Sequence, residues 1–316
     1  GAQGLISAEV GVFADNSGVS IINEGDIVGE GSGGFGVVMG NGTFVNHGRV
    51  YAYQAAVEIV GSATFTNAED GKLFGSNYAL LSNGTAGMES NYINHGKIIG
   101  NVVDTDATIK LVNDGQILGS VDLGDGNDVI DNRGGRISGP IYGGGGSDTL
   151  ITDRASDVLV ETFSDFDTDI VRSTVSYVLS DNIEKLVLLG AKNINATGNN
   201  ETNTIYGNGG DNQLKGRGGA DHLAGGRGND ALVGGDGNDQ FLFRKGDGID
   251  TIRDFADGDD KIYLSRFAPI DSYDELEPLI KKHGGDIWVD FGHGDRLVIA
   301  DTTRAELDAS DFPFPP

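Results

Sequence analysis

Apolar residues recur every nine positions between Gly198 and Leu242. Each lies in a short strand-like run that follows a glycine-rich stretch, and five such nine-residue phrases follow one another without a gap. Because side chains alternate along a strand, the middle residue of each run points to the interior. The inward residues predicted in this way are Ile205, Leu214, Leu223, Leu232 and Phe241. Such a fixed period predicts a stacked solenoid in which two phrases make one coil.

A longer and looser repeat fills the first half of the chain. Its phrase is Asn, a short spacer, Gly, any residue and an aliphatic residue, with strand-like runs before and after it. The asparagines are Asn23, Asn46, Asn67, Asn94, Asn113 and Asn132, at spacings of 23, 21, 27, 19 and 19 residues. About twenty residues with two or three short strands predict one coil of a parallel β-helix. We expect the asparagines to form a ladder in the turns; a glycan or ligand role for them is the alternative.

The two kinds of repeat meet between Gly119 and Ile151. Residues 124–130 and 143–150 both read as versions of the nine-residue phrase, yet they lie twenty residues apart, which is the length of one coil in the first half. We therefore expect Asp128 and Asp148 to stack on each other. Residues 152–197 carry strand-like runs but no repeat, and we interpret them as a continuation of the sheet.

A different pattern follows the nine-residue phrases. The motif Ser272-x-x-Glu275 is typical of a capping box, and Pro278 predicts a kink or early break in the helix behind it. The predicted elements are a short helix with Leu276, Leu279 and Ile280 on one face and Gly284 after its end, strands over 287–291 and 296–300, and a second capping box at Thr303-x-x-Glu306. We expect this unit to cap the open end of the roll and to hide a strand edge.

Composition and charge narrow the range of partners. The 316 residues include no cysteine and carry a formal net charge of -26, from 48 acidic and 22 basic residues. This surplus argues against binding to nucleic acid or anionic membranes, and it opposes compaction unless cations bind. No apolar run approaches the ~20 residues of a membrane span. The chain starts with neither Met nor a signal peptide, so we expect Gly1 to begin a fragment or a processed chain.

The turns of the nine-residue phrase offer oxygen ligands. Glycine allows positive φ and close backbone approach, so stacked turns can direct their carbonyls into the gap between coils. An aspartate at position six, such as Asp230 or Asp239, adds charge to the same gap. Oxygen ligands suit Ca²⁺ and suit Zn²⁺ or Cu²⁺ poorly. The alternative, that these residues only form turns, does not account for an aspartate that stays in phase with leucine.

Two phrases carry a resemblance to a known family. Residues 225–233 read Gly-Gly-Arg-Gly-Asn-Asp-Ala-Leu-Val and residues 234–242 read Gly-Gly-Asp-Gly-Asn-Asp-Gln-Phe-Leu. This order resembles the nonapeptide of the RTX (repeats-in-toxin) calcium-binding β-roll. The resemblance implies that each ion lies between phrases n and n+2, held by two position-six aspartates and by carbonyls of positions one to four.

Carried over to this chain, the resemblance implies the pairs Asp221 with Asp239 and Asp230 with Asp250, the latter in a slightly offset phrase. Asn203 stands at position six of the first phrase and Asn212 at that of the second, so their sites should be weaker or empty. With the pair near residue 140 included, the implied metal-binding residues are Asp128, Asp148, Gly207, Gly209, Asn212, Gly216, Gly218, Asp221, Gly225, Gly226, Arg227, Gly228, Asp230, Gly234, Gly235, Asp236, Gly237, Asp239, Gly246, Gly248 and Asp250.

The patterns and the resemblance together predict an all-β fold. It is a right-handed parallel β-helix that continues into an RTX parallel β-roll, with a small α+β cap at the C-terminus. The predicted domains are the β-helix over 1–151 with a first calcium site near its end, a connecting β segment over 152–197, the roll over 198–251, and the cap with a secretion signal over 252–316.

The flanks of the roll also resemble exported proteins. Residues 182–199 are similar to the segment that leads into RTX repeats in secreted bacterial proteins, and residues 250–264 to the closing sequence of serralysin-type proteases. In that family the last several tens of residues are an uncleaved signal read by a type I secretion system, and residues 307–314 resemble such ends. The resemblance implies a secreted or cell-surface protein whose partners are calcium ions and the type I secretion machinery.

We adopt the interpretation of a non-catalytic, calcium-folded module: an adhesin, a surface-layer or matrix element, or the tail of a larger exported protein. Cell-surface polysaccharide and other copies of the chain are candidate partners of its β-helix. One alternative is a polysaccharide lyase or epimerase with an RTX tail. Against it, we find no cluster of histidine, basic and acidic residues at one face of adjacent coils, and His47 and His95 read as surface turn residues. The other alternative is the C-terminal part of an RTX toxin or protease; no His-Glu-x-x-His motif is present.

Overall fold

The computed structural model describes residues 5–14, 18–162, 167–267 and 270–314. Nearly all regular structure in these ranges is parallel β-strand, which confirms the prediction of an all-β parallel solenoid. The chain forms two compact units, Gly1–Asp169 and Ile170–Pro316. The first four residues of the predicted β-helix and the last two of the predicted secretion segment lie outside the described residues. None of the helices in the described ranges is long and apolar enough to cross a membrane.

The first unit is a stack of coils built from short strands. Its strands are β1 (Leu5–Ala8), β2 (Val10–Ala14), β3 (Val19–Asn23), β4 (Asp26–Gly29), β5 (Phe35–Met39), β6 (Gly42–Asn46), β7 (Arg49–Ala52), β8 (Ala55–Ile59), β9 (Ala63–Asn67), β10 (Lys72–Ser82), β11 (Glu89–Asn94), β12 (Lys97–Val103), β13 (Thr108–Asn113), β14 (Gln116–Leu118), β15 (Val121–Asp122), β16 (Val129–Asp131), β17 (Arg136–Ile137), β18 (Ile141–Tyr142), β19 (Thr149–Thr152) and β20 (Leu159–Val160).

These strands form three parallel columns. The first column is β3, β6, β9, β11, β13, β16 and β19. The second is β1, β4, β7, the first halves of β10 and β12, β14 and β17. The third is β2, β5, β8, the second halves of β10 and β12, β15, β18 and β20. One coil therefore contains three short strands, within the two or three that the sequence predicted.

Side chains alternate between the interior and the surface along each strand, and the inward ones form the core of the first unit. The rings of Phe44 in β6 and Phe65 in β9 are fully buried, with centroids 5.6 Å apart. Val50 and Val57 from the other two columns are equally buried. Burying an aliphatic or aromatic side chain of this size contributes about 1.5–3 kcal/mol, so each coil gains stability mainly by stacking on its neighbours.

The predicted asparagine ladder is confirmed. In each rung, the side-chain Nδ2 donates to the Oδ1 of the asparagine one coil later. The distances are 2.8 Å from Asn23 to Asn46, 2.8 Å from Asn46 to Asn67, 2.8 Å from Asn67 to Asn94, 2.6 Å from Asn94 to Asn113 and 2.5 Å from Asn113 to Asn132. An amide serves this role because it carries a donor and an acceptor at once. The sequence did not predict the last rung, in which Asn132 Nδ2 donates to Asp157 Oδ2 at 2.7 Å.

The second unit stacks its strands in two columns. Its strands are β21 (Ile170–Ser173), β22 (Tyr177–Val178), β23 (Lys185–Leu188), β24 (Ala196–Thr197), β25 (Thr204–Tyr206), β26 (Gln213–Gly218), β27 (His222–Ala224), β28 (Ala231–Asp236), β29 (Gln240–Arg244), β30 (Ile249–Ile252), β31 (Lys261–Ser265), β32 (Ile280–His283), β33 (Asp286–Gly292) and β34 (Asp295–Ile299). Odd-numbered strands from β21 to β31 form one parallel column. Strands β22, β24, β26, β28, β30 and β34 form the other.

The register of the second unit confirms that two phrases make one coil. Ile205 pairs with Leu223, and Leu214 pairs with Leu232, so each phrase stacks on the second phrase after it. All five predicted inward residues are at most 1% exposed. The stack already begins at Ile170, and β23 pairs with β25, so residues 170–197 continue the sheet as expected.

The predicted helix is shorter than the sequence pattern suggested. Helix α1 (Tyr273–Leu276) runs into a 3₁₀ turn over Glu277–Leu279. The early break at Pro278 is confirmed, whereas the placement of Ile280 on the helix is wrong, because Ile280 begins β32 and pairs with Val289. Proline offers no N–H and its ring clashes with the carbonyl four residues earlier, so the α-helix ends at Leu276 and the chain continues as a 3₁₀ turn that includes Pro278.

One capping box forms and the other does not. Thr303 and Glu306 make both reciprocal bonds around the 3₁₀ turn Arg304–Glu306, which confirms the second box. The side chain of Ser272 makes no capping hydrogen bond, so that box is wrong. Glu275 Oε2 instead accepts a hydrogen bond from the backbone N–H of Asp271 at 2.9 Å.

The C-terminal segment covers one open strand edge of the roll. Strand β34 pairs in parallel with β30 and in antiparallel fashion with β33, which in turn pairs with β32. Beside them, the rings of Phe243, Phe267 and Phe291 stack with centroids 4.1–5.6 Å apart. An antiparallel hairpin thus takes the place of a further coil on β30, where unpaired backbone groups would otherwise be exposed.

Candidate metal sites

The position-six aspartates stack through a repeated backbone contact. The N–H of Asp221 donates to Asp239 Oδ1 at 2.8 Å, and the N–H of Asp230 donates to Asp250 Oδ1 at 3.0 Å. The N–H of Asp128 donates to Asp148 Oδ1 at 2.7 Å in the same way. The structure therefore brings together all three aspartate pairs named from the sequence. That these pairs bind metal stays a prediction.

The second oxygen of each of these carboxylates has no partner in the protein. Every one of the six residues is at most 2% exposed. The buried atoms without a hydrogen bond are Oδ2 of Asp128, Asp148, Asp221, Asp230, Asp239 and Asp250. A buried carboxylate oxygen is costly unless a donor or a cation meets it. These six oxygens are therefore free to accept a cation, as the prediction of metal sites requires.

Burial of these aspartates raises the pKa of their carboxyl groups. Desolvation raises the pKa of Asp128 and of Asp250 to about 8, and that of Asp221 to about 7. Negative neighbours contribute to these raised pKa values, as Asp239 does for Asp221. A divalent cation beside the carboxylate favours the ionised form and reverses this tendency.

Position one of the phrase leaves a small space that only glycine provides. A Cβ added to Gly216 would collide with Asp221 Oδ2 and with the carbonyl oxygen of Gly234. Added to Gly225, it would collide with Asp230 Oδ2. The space is therefore bordered by a carboxylate oxygen and, at Gly216, by a carbonyl oxygen from the next coil. Ligands of this kind fit Ca²⁺.

The remaining predicted residues form the stacked turns. Close approach requires glycine at Gly228 and Gly237, whose φ angles are 132° and 148° and where a Cβ would meet a carbonyl oxygen one coil earlier. Arg227 and Asp236 have exposed side chains, so only their carbonyls are candidate ligands. Of the other predicted glycines, Gly218 ends β26 and Gly235 lies in β28; those in the turns between strands are Gly207, Gly209, Gly226, Gly246 and Gly248.

Asparagine at position six behaves differently from aspartate. Asn203 Nδ2 donates to the carbonyl of Ile183 at 3.1 Å and to Asn199 Oδ1 at 2.9 Å. Asn212 Nδ2 donates to the carbonyl of Ile194 at 2.7 Å. These amides are satisfied inside the protein and carry no charge, which supports the prediction of weaker or empty sites at these two phrases.

The sequence analysis did not identify several acidic residues that contact the last coils of the second unit. Asp260 Oδ1 accepts the N–H of Asp239 at 2.8 Å, so Asp260 is a further position-six residue. Its signal was present, since Lys-Ile-Tyr-Leu follows it as Gln-Phe-Leu follows Asp239. Asp254 accepts the N–H groups of Gly234 and Gly235 at 3.0 and 2.9 Å, and Asp295 those of Gly246 and Gly248 at 3.0 and 3.3 Å. No periodic signal marks Asp254 or Asp295.

Two further acidic residues that the sequence analysis missed, Glu161 and Asp169, lie in the first unit beside the predicted Asp148. Asp148, Glu161 and Asp169 are all buried, and each offers an oxygen within 4.8 Å of the others. Asp128, the partner named from the sequence, is outside this group. Burial, together with the charges of Asp169 and Asp148, raises the pKa of Glu161 to about 9.

A surface groove on the first unit corrects one argument made from the sequence. It is lined by Glu69, His95, Lys97, Asp114, Gln116, Arg136 and Arg154, which come from successive coils. The statement that acidic, basic and histidine side chains do not cluster on adjacent coils is therefore wrong. The alignment was visible in the asparagine repeat, in which His95 and Asp114 hold the same position of the phrase, as do Lys97 and Gln116. His95 Nδ1 lies 2.7 Å from Asp114 Oδ1, and His47 Nδ1 lies 3.3 Å from Asp70 Oδ1; both histidines are surface turn residues as predicted.

Comparisons with known proteins agree with the repeats. A family model of the RTX calcium-binding nonapeptide repeat matches residues 141–159, 197–232, 206–241 and 216–252. The endo-1,3-1,4-beta-glycanase EglC of Rhizobium meliloti (strain 1021) is 36% identical over 194 residues, 55% of this chain and 39% of that protein. The match thus spans about two fifths of the relative's length. The crystal structure of extracellular lipase LipA from Serratia marcescens matches 74% of this chain and 40% of its own at 14% identity; its TM-score of 0.28 carries no argument.

Proposed function

We propose, from the RTX calcium-binding nonapeptide repeats that this chain carries, that it is a secreted structural module that folds on calcium outside the cell. One observation carries the proposal: six buried carboxylate oxygens without a partner recur at position six of the phrases. The module acts as an adhesin, a surface-layer or matrix element, or the tail of a larger exported protein.

The residues of the roll couple calcium to folding. Asp221, Asp230 and Asp239 would hold the ions together with carbonyls of the glycine turns, and these ligands converge only when the coils are stacked. A ligand that binds only the folded state adds about 1.4 kcal/mol per site at tenfold excess over its Kd. Successive sites on one side of the roll share a ladder of N–H to Oδ1 bonds, which runs through Asp221, Asp239 and Asp260, so folding at one site prepares the next.

The calcium levels inside and outside a cell favour folding after export. Extracellular calcium modules bind at about 10⁻⁴ to 10⁻³ M, far above cytosolic calcium. The roll would remain unfolded where it is made and fold where calcium is abundant. Secretion by a type I system, with the signal in the C-terminal segment, fits this order of events.

Calorimetry on two glycine variants tests the proposal. The full chain should bind Ca²⁺ and not Mg²⁺, because the ligands are too many and too flexible for magnesium. Gly216→Ala should weaken calcium binding at Asp221 by at least about tenfold, since the added Cβ fills the space beside Oδ2. Gly218→Ala is the matched control, because a Cβ there approaches no atom closer than 3.9 Å. Absence of calcium binding, or equal effects of the two variants, would contradict the proposal.

A polysaccharide-directed activity is the second candidate function. It is favoured by the similarity to a 1,3-1,4-β-glycanase and by the groove that holds His95 and Asp114. If the groove acts on glycan, the full chain should release reducing ends from a mixed-linkage β-glucan. His95→Ala should then abolish release while His47→Ala, at the corresponding turn position outside the groove, should not. No release by the unaltered chain would remove this candidate.

A further inference from the structure

Three carboxylates meet near the end of the first unit. Asp148 is at position six of its phrase, and Asp169 continues the same ladder because its Oδ1 accepts the N–H of Asp148. Glu161 belongs to no phrase and joins them from outside the ladder. Each residue offers an oxygen within 4.8 Å of the other two. Their exposures are only 2%, 7% and 4%, so water screens these charges little.

Backbone contacts hold the two later carboxylates in place. Glu161 Oε2 accepts the N–H of Gly144 at 3.1 Å, and Asp169 Oδ1 accepts the N–H of Asp148 at 2.7 Å. These bonds orient both side chains toward the turn over residues 143–148. The cluster is therefore anchored before any ion binds.

An open space and an unpartnered atom lie inside this cluster. Oδ2 of Asp148 is buried and has no hydrogen bond. A Cβ added to Gly143 would collide with that atom and with Glu161 Oε1, so both oxygens border the space that this glycine leaves open. At Gly216 in the roll, the corresponding space is bordered by Asp221 Oδ2 and by a carbonyl. A charged carboxylate thus replaces a neutral carbonyl in the first unit.

We propose that Asp148, Glu161 and Asp169 form a separate, high-affinity calcium site of the first unit, which fills before the sites of the roll. The inference rests on the proposed calcium-dependent folding. Calcium affinity rises with the number of charged ligands and with the rigidity of the site. Three anchored carboxylates should therefore bind Ca²⁺ at least about tenfold more tightly than one phrase of the roll.

Calcium titration of the full, calcium-free chain tests this order. Calorimetry should show a first step of one ion at a calcium concentration at least about tenfold below the transition of the roll in far-ultraviolet circular dichroism. The double variant Glu161→Gln, Asp169→Asn should lose that step and bind one ion fewer. The dichroism midpoint of the roll should stay within about twofold of its original value, because the variant changes no ligand of the roll.

Two controls separate the site from its surroundings. Asp254 accepts glycine N–H groups in the roll, as Glu161 does in the first unit. Asp254→Asn removes this charge and should leave the first calcium-binding step of the titration unchanged. Gly143→Ala fills the space without changing a charge and should abolish the step, whereas Gly145→Ala meets only the exposed Asp125 side chain and should not.

The outcomes distinguish this inference from the proposed function. A single step in which all ions bind together, or a double variant with unchanged stoichiometry, overturns the separate site while calcium-dependent folding stands. A chain that binds no calcium at all overturns both. Because the first outcome is read from the unaltered chain, the test holds even if a variant fails to fold.

Discussion

Removal of calcium from the full chain should unfold residues 198–262 and leave most of the first unit folded. In the roll, Asp221, Asp230 and Asp239 keep buried oxygens that no hydrogen-bond donor meets, so without a cation their charges repel each other and are poorly solvated. The coils of the first unit are instead joined by neutral asparagine rungs. Far-ultraviolet circular dichroism in excess chelator should show loss of the roll signal and recovery when calcium is returned.

Position-six substitutions provide the control for this experiment. Asp230→Ala with Asp239→Ala should raise the calcium midpoint by at least about tenfold, because each removes a charged ligand. Asn203→Ala with Asn212→Ala should raise it much less, since these amides are satisfied by the protein itself. An unchanged spectrum in chelator, or a larger shift from the asparagine pair, would show that calcium does not drive folding.

Deletion of residues 252–316 should broaden the calcium transition of the roll and abolish export. Strand β34 supplies the backbone partners of β30, and Asp295 accepts two N–H groups of the turn before it. Without them the last coil exposes an unpaired edge and loses the template on which stacking begins. The type I signal that the RTX resemblance places in this segment would be lost as well. The measurements are the width of the dichroism transition and the amount of chain outside cells that carry a type I system.

Single substitutions in β34 separate the two effects of the deletion. Leu297 is 1% exposed, so Leu297→Asn should broaden the transition as the deletion does while the chain is still exported. Val298, its neighbour on the opposite face, is only partly buried, and Val298→Asn should change neither property. A roll that folds with undiminished cooperativity after the deletion would contradict the role of the cap, and efficient export would contradict the position of the signal.

Periodicity allowed the sequence to determine most of the solenoid. In a stack of coils, neighbours in space are one coil apart in sequence, so a repeat predicts contacts directly. This is why the inward residues Leu214 and Leu232, the asparagine ladder and the pair Asp221 with Asp239 could be named without coordinates. The chemistry of the phrase, with aspartate in phase with leucine, pointed to calcium for the same reason.

Only the tertiary structure showed which residues contact the last coils, where the repeats end. Glu161 and Asp295 accept N–H groups of glycine turns from segments without a period, and their approach depends on how those segments fold back on the last coil. The stacking of successive coils also brought Glu69, His95 and Arg136 into one surface groove. A repeat predicts its own contacts because each coil copies the one before it. A segment at the end of a stack is instead positioned by the unpaired backbone groups of the last coil. Backbone groups are the same in every residue, so the sequence does not show where such a segment will bind.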